Sequence, residues 1–217
     1  WQRADASLSL LENPITTGLP EGIPYGVSVG NHDQSPIGNA DGTTTFYNQF
    51  FGSARFSGRS YYGGHFGTNN DNWYQLFSVS GLDFIVISFE YDTTPDAAVL
   101  SWADALLTTY SNRKAILLSH FFINTGNPAG WGPQGQATYD ALKSHSNLAL
   151  MLCGHVPGEG RRSDTFAGNT VHTLLSDYQG RTNGGNGWLR ILEFSPANNE
   201  LRVKTYSPTL NQFETDG

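Results

Sequence analysis

The chain reads as an α/β fold in which two sheets are layered face to face with helices outside. Three features predict it. Short apolar runs of strand length alternate with helical patterns as far as Cys153, strand patterns alone follow His155, and no linker is long enough to divide the sequence. Residues 1–217 are therefore expected to form a single domain.

Taken in order, Ala4 to Glu12 spaces Leu8, Leu10 and Leu11 as a helix does, and Asn13-Pro14 ends it. Tyr25-Gly26-Val27-Ser28-Val29 follows as a short apolar strand. Thr43 to Phe51 suits a short helix with Phe46, Phe50 and Phe51 inward, and Arg55 to Asn72, rich in Gly, Asn and Tyr, a long functional loop. Trp73 to Val79 and Phe84 to Phe89 are strands joined by a turn through Ser80-Gly81-Leu82-Asp83. Thr94 as cap and Pro95 at the first helical position open a helix to Tyr110, with Val99, Leu100, Trp102, Ala103, Leu106 and Leu107 as its apolar stripe. Lys114 to Ser119 is the next strand, Gln134 to Ser144 a helix and Leu148 to Cys153 a strand. Arg161 to Phe166, Val171 to Ser176, Gly187 to Phe194 and Leu201 to Tyr206 complete the β-rich half.

A charged fraction of 14%, with 25 glycines and 13% aromatic residues, fits a compact, loop-rich fold and not a disordered tail. The net charge of -7, with 12 Lys and Arg in all, argues against a broad nucleic-acid surface, which needs clustered cations to neutralise phosphates. It does not exclude a small phosphorylated substrate, because bound divalent cations reverse the field within one cleft. Cys153 is the only cysteine, so an intrachain disulfide is excluded, and its apolar setting suits a small buried side chain. No run is long enough for a transmembrane helix. Low charge, few lysines and abundant Asn, Gly and Thr lean toward an exported bacterial protein, extracellular or periplasmic.

Three of the apolar runs stop at side chains that bind metals. Val27 to Val29 leads into Gly30-Asn31-His32-Asp33, Leu117-Leu118-Ser119 into His120, and Leu150-Met151-Leu152-Cys153-Gly154 into His155. Strand ends hold such groups rigidly at an open rim, the setting that metal-assisted chemistry requires. Taken singly, each has a plainer reading: a polar turn at Asn31 to Asp33, a satisfied core histidine at His120. Arg161 and Arg162, next to the last of these motifs, offer bidentate contacts to a phosphate or ion pairs with Glu159 or Asp164. Asp177, Tyr178 and Gln179 end a strand where they would line a cleft. His65, His145 and His172 read as surface, helix-end and strand histidines and are not assigned to a metal.

In these motifs the chain resembles the calcineurin-like metallophosphoesterases, whose signature runs Asp-x-His, Gly-Asp, Gly-Asn-His-Asp/Glu, an isolated His after a strand, and Gly-His-x-His. Gly30 to Asp33 matches the third motif, His120 the fourth and Gly154-His155 half of the fifth; Ser176 to Gln179 and Tyr206 to Asn211 resemble a bacterial branch. The resemblance implies the same two-sheet sandwich and a phosphomonoesterase or phosphodiesterase using metal-activated water. It implies that Asn31, His120 and His155 hold one divalent ion (Mn, Fe or Zn), that His32 protonates the leaving oxygen or positions the phosphate, and that Asp33 orients His32.

Two departures qualify it. No Asp-x-His or Gly-Asp precedes Gly30, and Trp1 to Leu11 resembles the helix that follows the family's Gly-Asp strand, so the domain is expected to lack its first strands. Pro157 stands where the last histidine would be, and proline offers a metal no side-chain donor. The family holds two ions; this chain alone is expected to hold at most one and to be weak or inactive, with a preceding segment or a partner chain supplying the rest. The alternatives are a non-catalytic relative or fragment serving binding or assembly, and a sugar-binding β-rich domain, which leaves the strand-end motifs unexplained.

Overall fold

A computed structural model describes residues 1–214; the last three residues of the expected domain, 215–217, lie outside the described residues. The helices are α1 (Gln2–Leu8), α2 (Pro14–Thr17), α3 (Thr45–Phe51), α4 (Ser53–Phe56), α5 (Ala97–Thr109), α6 (Pro133–Leu142) and α7 (Thr182–Gly185). The strands are β1 (Tyr62–His65), β2 (Trp73–Val79), β3 (Leu82–Ser88), β4 (Lys114–Leu118), β5 (Ile123–Gly126), β6 (Ala129–Trp131), β7 (Leu148–Cys153), β8 (Gly158–Phe166), β9 (Asn169–Asp177), β10 (Leu189–Ser195), β11 (Glu200–Ser207) and β12 (Gln212–Phe213). No helix among the described residues is long and apolar enough to cross a membrane.

The fold is mixed α/β with two sheets, as expected. A nine-stranded sheet runs in the order β1-β2-β3-β4-β7-β9-β8-β5-β6, and a three-stranded sheet in the order β10-β11-β12. Because β3, β4, β7 and β9 are mutually parallel, their carboxyl ends emerge on one side. That is where open α/β sheets present ligand sites.

Alternation along the strands divides the core between the two faces of the large sheet. Ile85, Ile87, Leu117, Met151 and Leu175 point to α5 and α6, meeting Val99, Ala103, Leu107, Tyr139 and Leu142. Phe84, Ile116 and Leu150 point the other way, against Leu201 of the small sheet, and the Phe194 ring meets Phe84 at 5.0 Å. A separate cluster of Tyr25, Val29, Tyr47, Phe51, Phe56 and Tyr61 joins α3, α4 and β1 to the segment before Gly30.

Several elements differ from the sequence reading. The expected strand at Tyr25 to Val29 is extended but belongs to no ladder. Its carbonyls at Tyr25 and Val27 accept from Gln75 Nε2 (2.7 Å), Trp73 Nε1 (3.0 Å) and the Tyr47 hydroxyl (2.7 Å), while Val29 O accepts from Tyr91 N (3.0 Å). The amides of Gly26, Val27, Ser28 and Val29 have no partner among the described residues. In α3 it is Tyr47 and Phe51 that are buried, whereas Phe46 is 62% exposed, because the helix turns its Tyr47 face to the core. The stretch expected as one long loop contains α4 and β1, since Phe56 and Tyr61 supply buried anchors there. The β5–β6 hairpin was not legible in the pattern. β8 and β9, expected in the β-rich half, extend the large sheet by pairing β9 in parallel with β7, so only β10 to β12 form the second sheet.

Candidate functional site

His120 and His155 stand just beyond β4 and β7, two strands paired in parallel from Ala115↔Leu148 to Leu118↔Leu152. The ladder continues past both ends through Ser119 N to Leu152 O (3.2 Å) and Gly154 N to His120 O (3.1 Å), which brings the two rings to 4.8 Å between centroids. His155 takes a left-handed backbone with φ of 72°, and Val156 N reaches over it to Gly154 O at 2.9 Å. This three-residue turn with positive φ is rare and strained for a residue with a side chain, and such strain concentrates at functional sites. Here it turns the imidazole toward His120.

The turn Asn31–Asp33 arrives from the other side. A Cβ at Gly30 would lie 3.3 Å from the His120 ring, tighter than most such contacts, so glycine lets the turn pack directly on the imidazole. Asn31 Oδ1 lies 3.0 Å from His120 Nε2, and His155 Nδ1 lies 3.0 Å from the same nitrogen. The structure thus brings Asn31, His120 and His155 to one point from three separate stretches of sequence. His120 Nε2 carries at most one hydrogen and cannot satisfy both contacts along good lines. Burial, then His155, holds the His120 imidazole below its ordinary pKa, which keeps its lone pair available.

The other expected residues fall out as follows. His32 is exposed at the rim, near enough to His120 to disfavour its charged form. Asp33 does not orient His32: its Oδ2 accepts from Gly30 N at 2.8 Å, so the carboxylate caps its own turn. Arg161 faces a different cleft, of about 890 Å³, between β8 and β9 and the small sheet. Its partner there is the Asn127 amide oxygen, at 2.9 and 3.0 Å in the satisfied orientation. Arg162 pairs with Asp164 at 2.7 Å. His65 contacts Tyr62, His145 pairs with Asp104 and His172 contacts Ser163, all away from the site. Among the described residues no group of three or more His, Cys, Asp or Glu side chains is placed to hold a metal.

Beside His120 and His155 opens a cleft of about 360 Å³, with Asp177, Gln179 and Trp188 on its far wall. Sequence reasoning missed the residues that brace the histidines. The Tyr91 ring lies 5.9 Å from His120 and 5.5 Å from His155, and the Phe121 ring 5.0 Å from His155. The only available signal was their place beside strand ends.

No family model matches the chain. It is 34% identical over 228 residues to YvnB of Bacillus subtilis (strain 168), described as an uncharacterized protein; the match takes in 100% of this chain and 16% of YvnB. The chain thus spans about a sixth of the length of that curated relative. Among solved structures, a dimetal phosphatase from Danio rerio matches with 14% identity and a TM-score of 0.39, over 63% of this chain and 55% of its own. A candidate 5′-nucleotidase from Staphylococcus aureus matches with 13% identity and a TM-score of 0.46, over 91% and 39%.

Proposed function

We propose that this chain is part of a metal-dependent phosphoester hydrolase of the calcineurin-like class. The observation that carries the reading is the convergence of Asn31 Oδ1, His120 Nε2 and His155 Nδ1, with both contacts to His120 Nε2 at 3.0 Å. Donor atoms about 2.1 Å from an ion in adjacent octahedral positions stand about 3.0 Å apart, so both contacts have the spacing of neighbouring ligands on a divalent cation. Manganese, iron or zinc suits its nitrogen and oxygen donors. When bound, such an ion supplies Lewis-acid stabilisation of phosphoryl charge and lowers the pKa of water.

The chain's own residues do the rest. Asp33 fixes the turn at Gly30 N–H and thereby the approach of Asn31 to His120. His32, exposed at the rim, gives a proton to the leaving oxygen of a phosphate ester. Tyr91 and Phe121 keep the two rings in place. Pro157 and the lack of a carboxylate in this set support a site that holds at most one ion and needs ligands from outside the chain. The unpartnered amides of Gly26 to Val29 support the same view. Gly26 is exposed and Val27 and Ser28 are half-buried, which leaves this edge open to a neighbour, so we infer that a strand from a preceding segment or another chain pairs here. The inferred setting is extracellular or periplasmic.

The experiment is calorimetric titration of this chain and of a longer product with Mn²⁺ and Zn²⁺, with hydrolysis of an aryl phosphate mono- and diester followed in parallel. Metal-dependent turnover by the longer product, weak in this chain, is expected. Turnover by neither, with no ion bound, favours a non-catalytic relative.

A further inference from the structure

The small sheet faces the large one across a gap that is filled at its two ends and open between them. Strand register puts Arg190, Leu192 and Phe194 of β10 on one face with Thr205, Val203 and Leu201 of β11, each opposite its partner. At one end Phe194 meets Phe84, and Leu201 packs on the cluster of Phe84, Ile116 and Leu150. At the other, Thr205 is buried beside a polar knot: Arg190 Nη2 pairs with Glu159 Oε1 at 2.7 Å, and the Tyr178 hydroxyl donates to the same oxygen at 2.7 Å. Val203 lies between these two covered positions and is nevertheless 41% exposed. The sheets do not close over it. The space left there is the cleft of about 890 Å³ that Arg161 faces, within the range of about 300–1,000 Å³ usual for small-molecule sites.

Its wall has an apolar and a charged part. Leu174, Val203 and Phe213 form the first. The second is Arg161, which pairs across β8 and β9 with Leu174. Its Nε and Nη2 donate to the Asn127 amide oxygen in the satisfied orientation, and no carboxylate among the described residues is within ion-pair distance of it. The other charges of the cleft already have partners. Glu159 holds Arg190 at 2.7 Å, Glu214 holds Arg181 at 2.7 Å, and Lys204 holds Glu193 at 2.8 Å. Arg161 is thus the uncompensated cation here, and it keeps Nη1 and one hydrogen of Nη2 for a bidentate partner.

We propose that this gap is a second binding site, for a small organic anion whose carboxylate or phosphate head is held by Arg161 and whose apolar body lies along Leu174, Val203 and Phe213. An inorganic anion would leave the apolar wall in water, and a neutral ligand would cover the guanidinium without a counter-charge, so tight binding needs both ends of the ligand. The gap shares no lining residue with the cleft beside His120 and His155, and the proposal stands whether or not those residues hold a metal.

The test is NMR titration of the metal-free chain, methyl-labelled at valine and leucine, with naphthoate, naphthylphosphonate, naphthol and inorganic phosphate. The Leu174 and Val203 signals should move with both naphthyl anions, the tighter of which names the head group, while Leu142, fully buried against α5, stays still. Arg161→Met should weaken both anions about tenfold and leave naphthol unchanged. The proposal is overturned by methyls that neither anion moves, by naphthol binding as tightly as the anions, or by inorganic phosphate matching naphthylphosphonate. Should Arg161→Met fail to fold, Val203→Glu sets a carboxylate in the gap and should abolish anion binding; undiminished affinity there overturns the proposal as well. Sedimentation of the free chain runs alongside, since a dimer that covers the same methyls would make the gap an interface between copies and overturn the ligand site. Anion binding that appears only with added Mn²⁺ would belong to His120 and His155, which removes the second site and leaves the metal reading standing.

Discussion

The ends of β4 and β7 and the segment Tyr25 to Asp33 bring polar side chains to the same point by different means. His120 and His155 are carried by a parallel ladder whose hydrogen bonds run on to the ring-bearing residues themselves. Asn31 is carried by a segment outside any sheet, pinned mainly by side chains: Trp73, Gln75 and Tyr47 on its carbonyls, Asp33 and Gln34 at its turn, with single backbone bonds from Tyr91 N to Val29 O and Gly38 N to Asn31 O. A ladder resists displacement along its whole length, whereas a side-chain-pinned segment depends on each pin. The first half of the site should be as stable as the core and the second half locally soft.

The sharpest way to break this contrast is Leu117→Ala. Leu117 is fully buried in β4, and the loss should cost about 2–5 kcal/mol of global stability by urea unfolding. A cost under about 1 kcal/mol would mean that the strand does not anchor His120 through the core.

Gly26→Ala tests the other half. A Cβ at Gly26 runs into the Trp73 ring. The expected cost is about 1–3 kcal/mol, with faster amide hydrogen exchange at Asp33 and Gly38 but not at Ala115. Uniform loss across the sheet would erase the distinction between the two regions.

Glu90, which accepts from Gln34 beside the turn, sets a pH dependence on the soft half. Burial raises its carboxyl to about 7, so the folded chain binds more protons than the unfolded one between the ordinary carboxylate range and neutrality. Stability from this group is therefore greatest at acid pH, falls as pH rises through that window and is level above it. The fall should be on the order of 2 kcal/mol in the wild type and absent in Glu90→Gln, read from urea midpoints across pH. A wild-type profile that rises over the same range would refute the burial argument.

The smallest effect is expected far from both regions. Lys143 and Asp140 form an exposed pair at 2.6 Å near the end of α6, and Asp140→Asn should change stability by at most about 0.5 kcal/mol. A larger change would mean that α6 communicates with the strand ends.

Much of the fold was legible because periodicity reports burial directly. The β2–β3 hairpin was marked by Ser80-Gly81, which both take positive φ in the tight turn. The α5 stripe of Val99, Ala103 and Leu107 was marked by its spacing, and β7 by its apolar run. What escaped were elements whose partners lie far away. Ile123 to Trp131 gives no pattern strong enough to announce a hairpin, and the attachment of β8 and β9 to the large sheet depends on β9 pairing with β7, which no local signal encodes. Tyr25 to Val29 has strand residues but no strand, since a ladder needs a neighbour as well as a propensity.

For the site, the sequence by itself determined the chemistry on offer: an amide, two imidazoles and a carboxylate, each at the end of an apolar run, with a glycine at Gly30 that permits close approach. Side-chain type and local backbone freedom are properties of the residues and can be read in order along the chain. Only the tertiary structure decided which of those groups meet. It set Asn31, His120 and His155 at 3.0 Å contacts, turned Asp33 to its own backbone, sent Arg161 to another cleft and placed Glu90 beneath the turn. Convergence is fixed by strand order and by the packing of distant side chains, and those are settled by the whole fold at once.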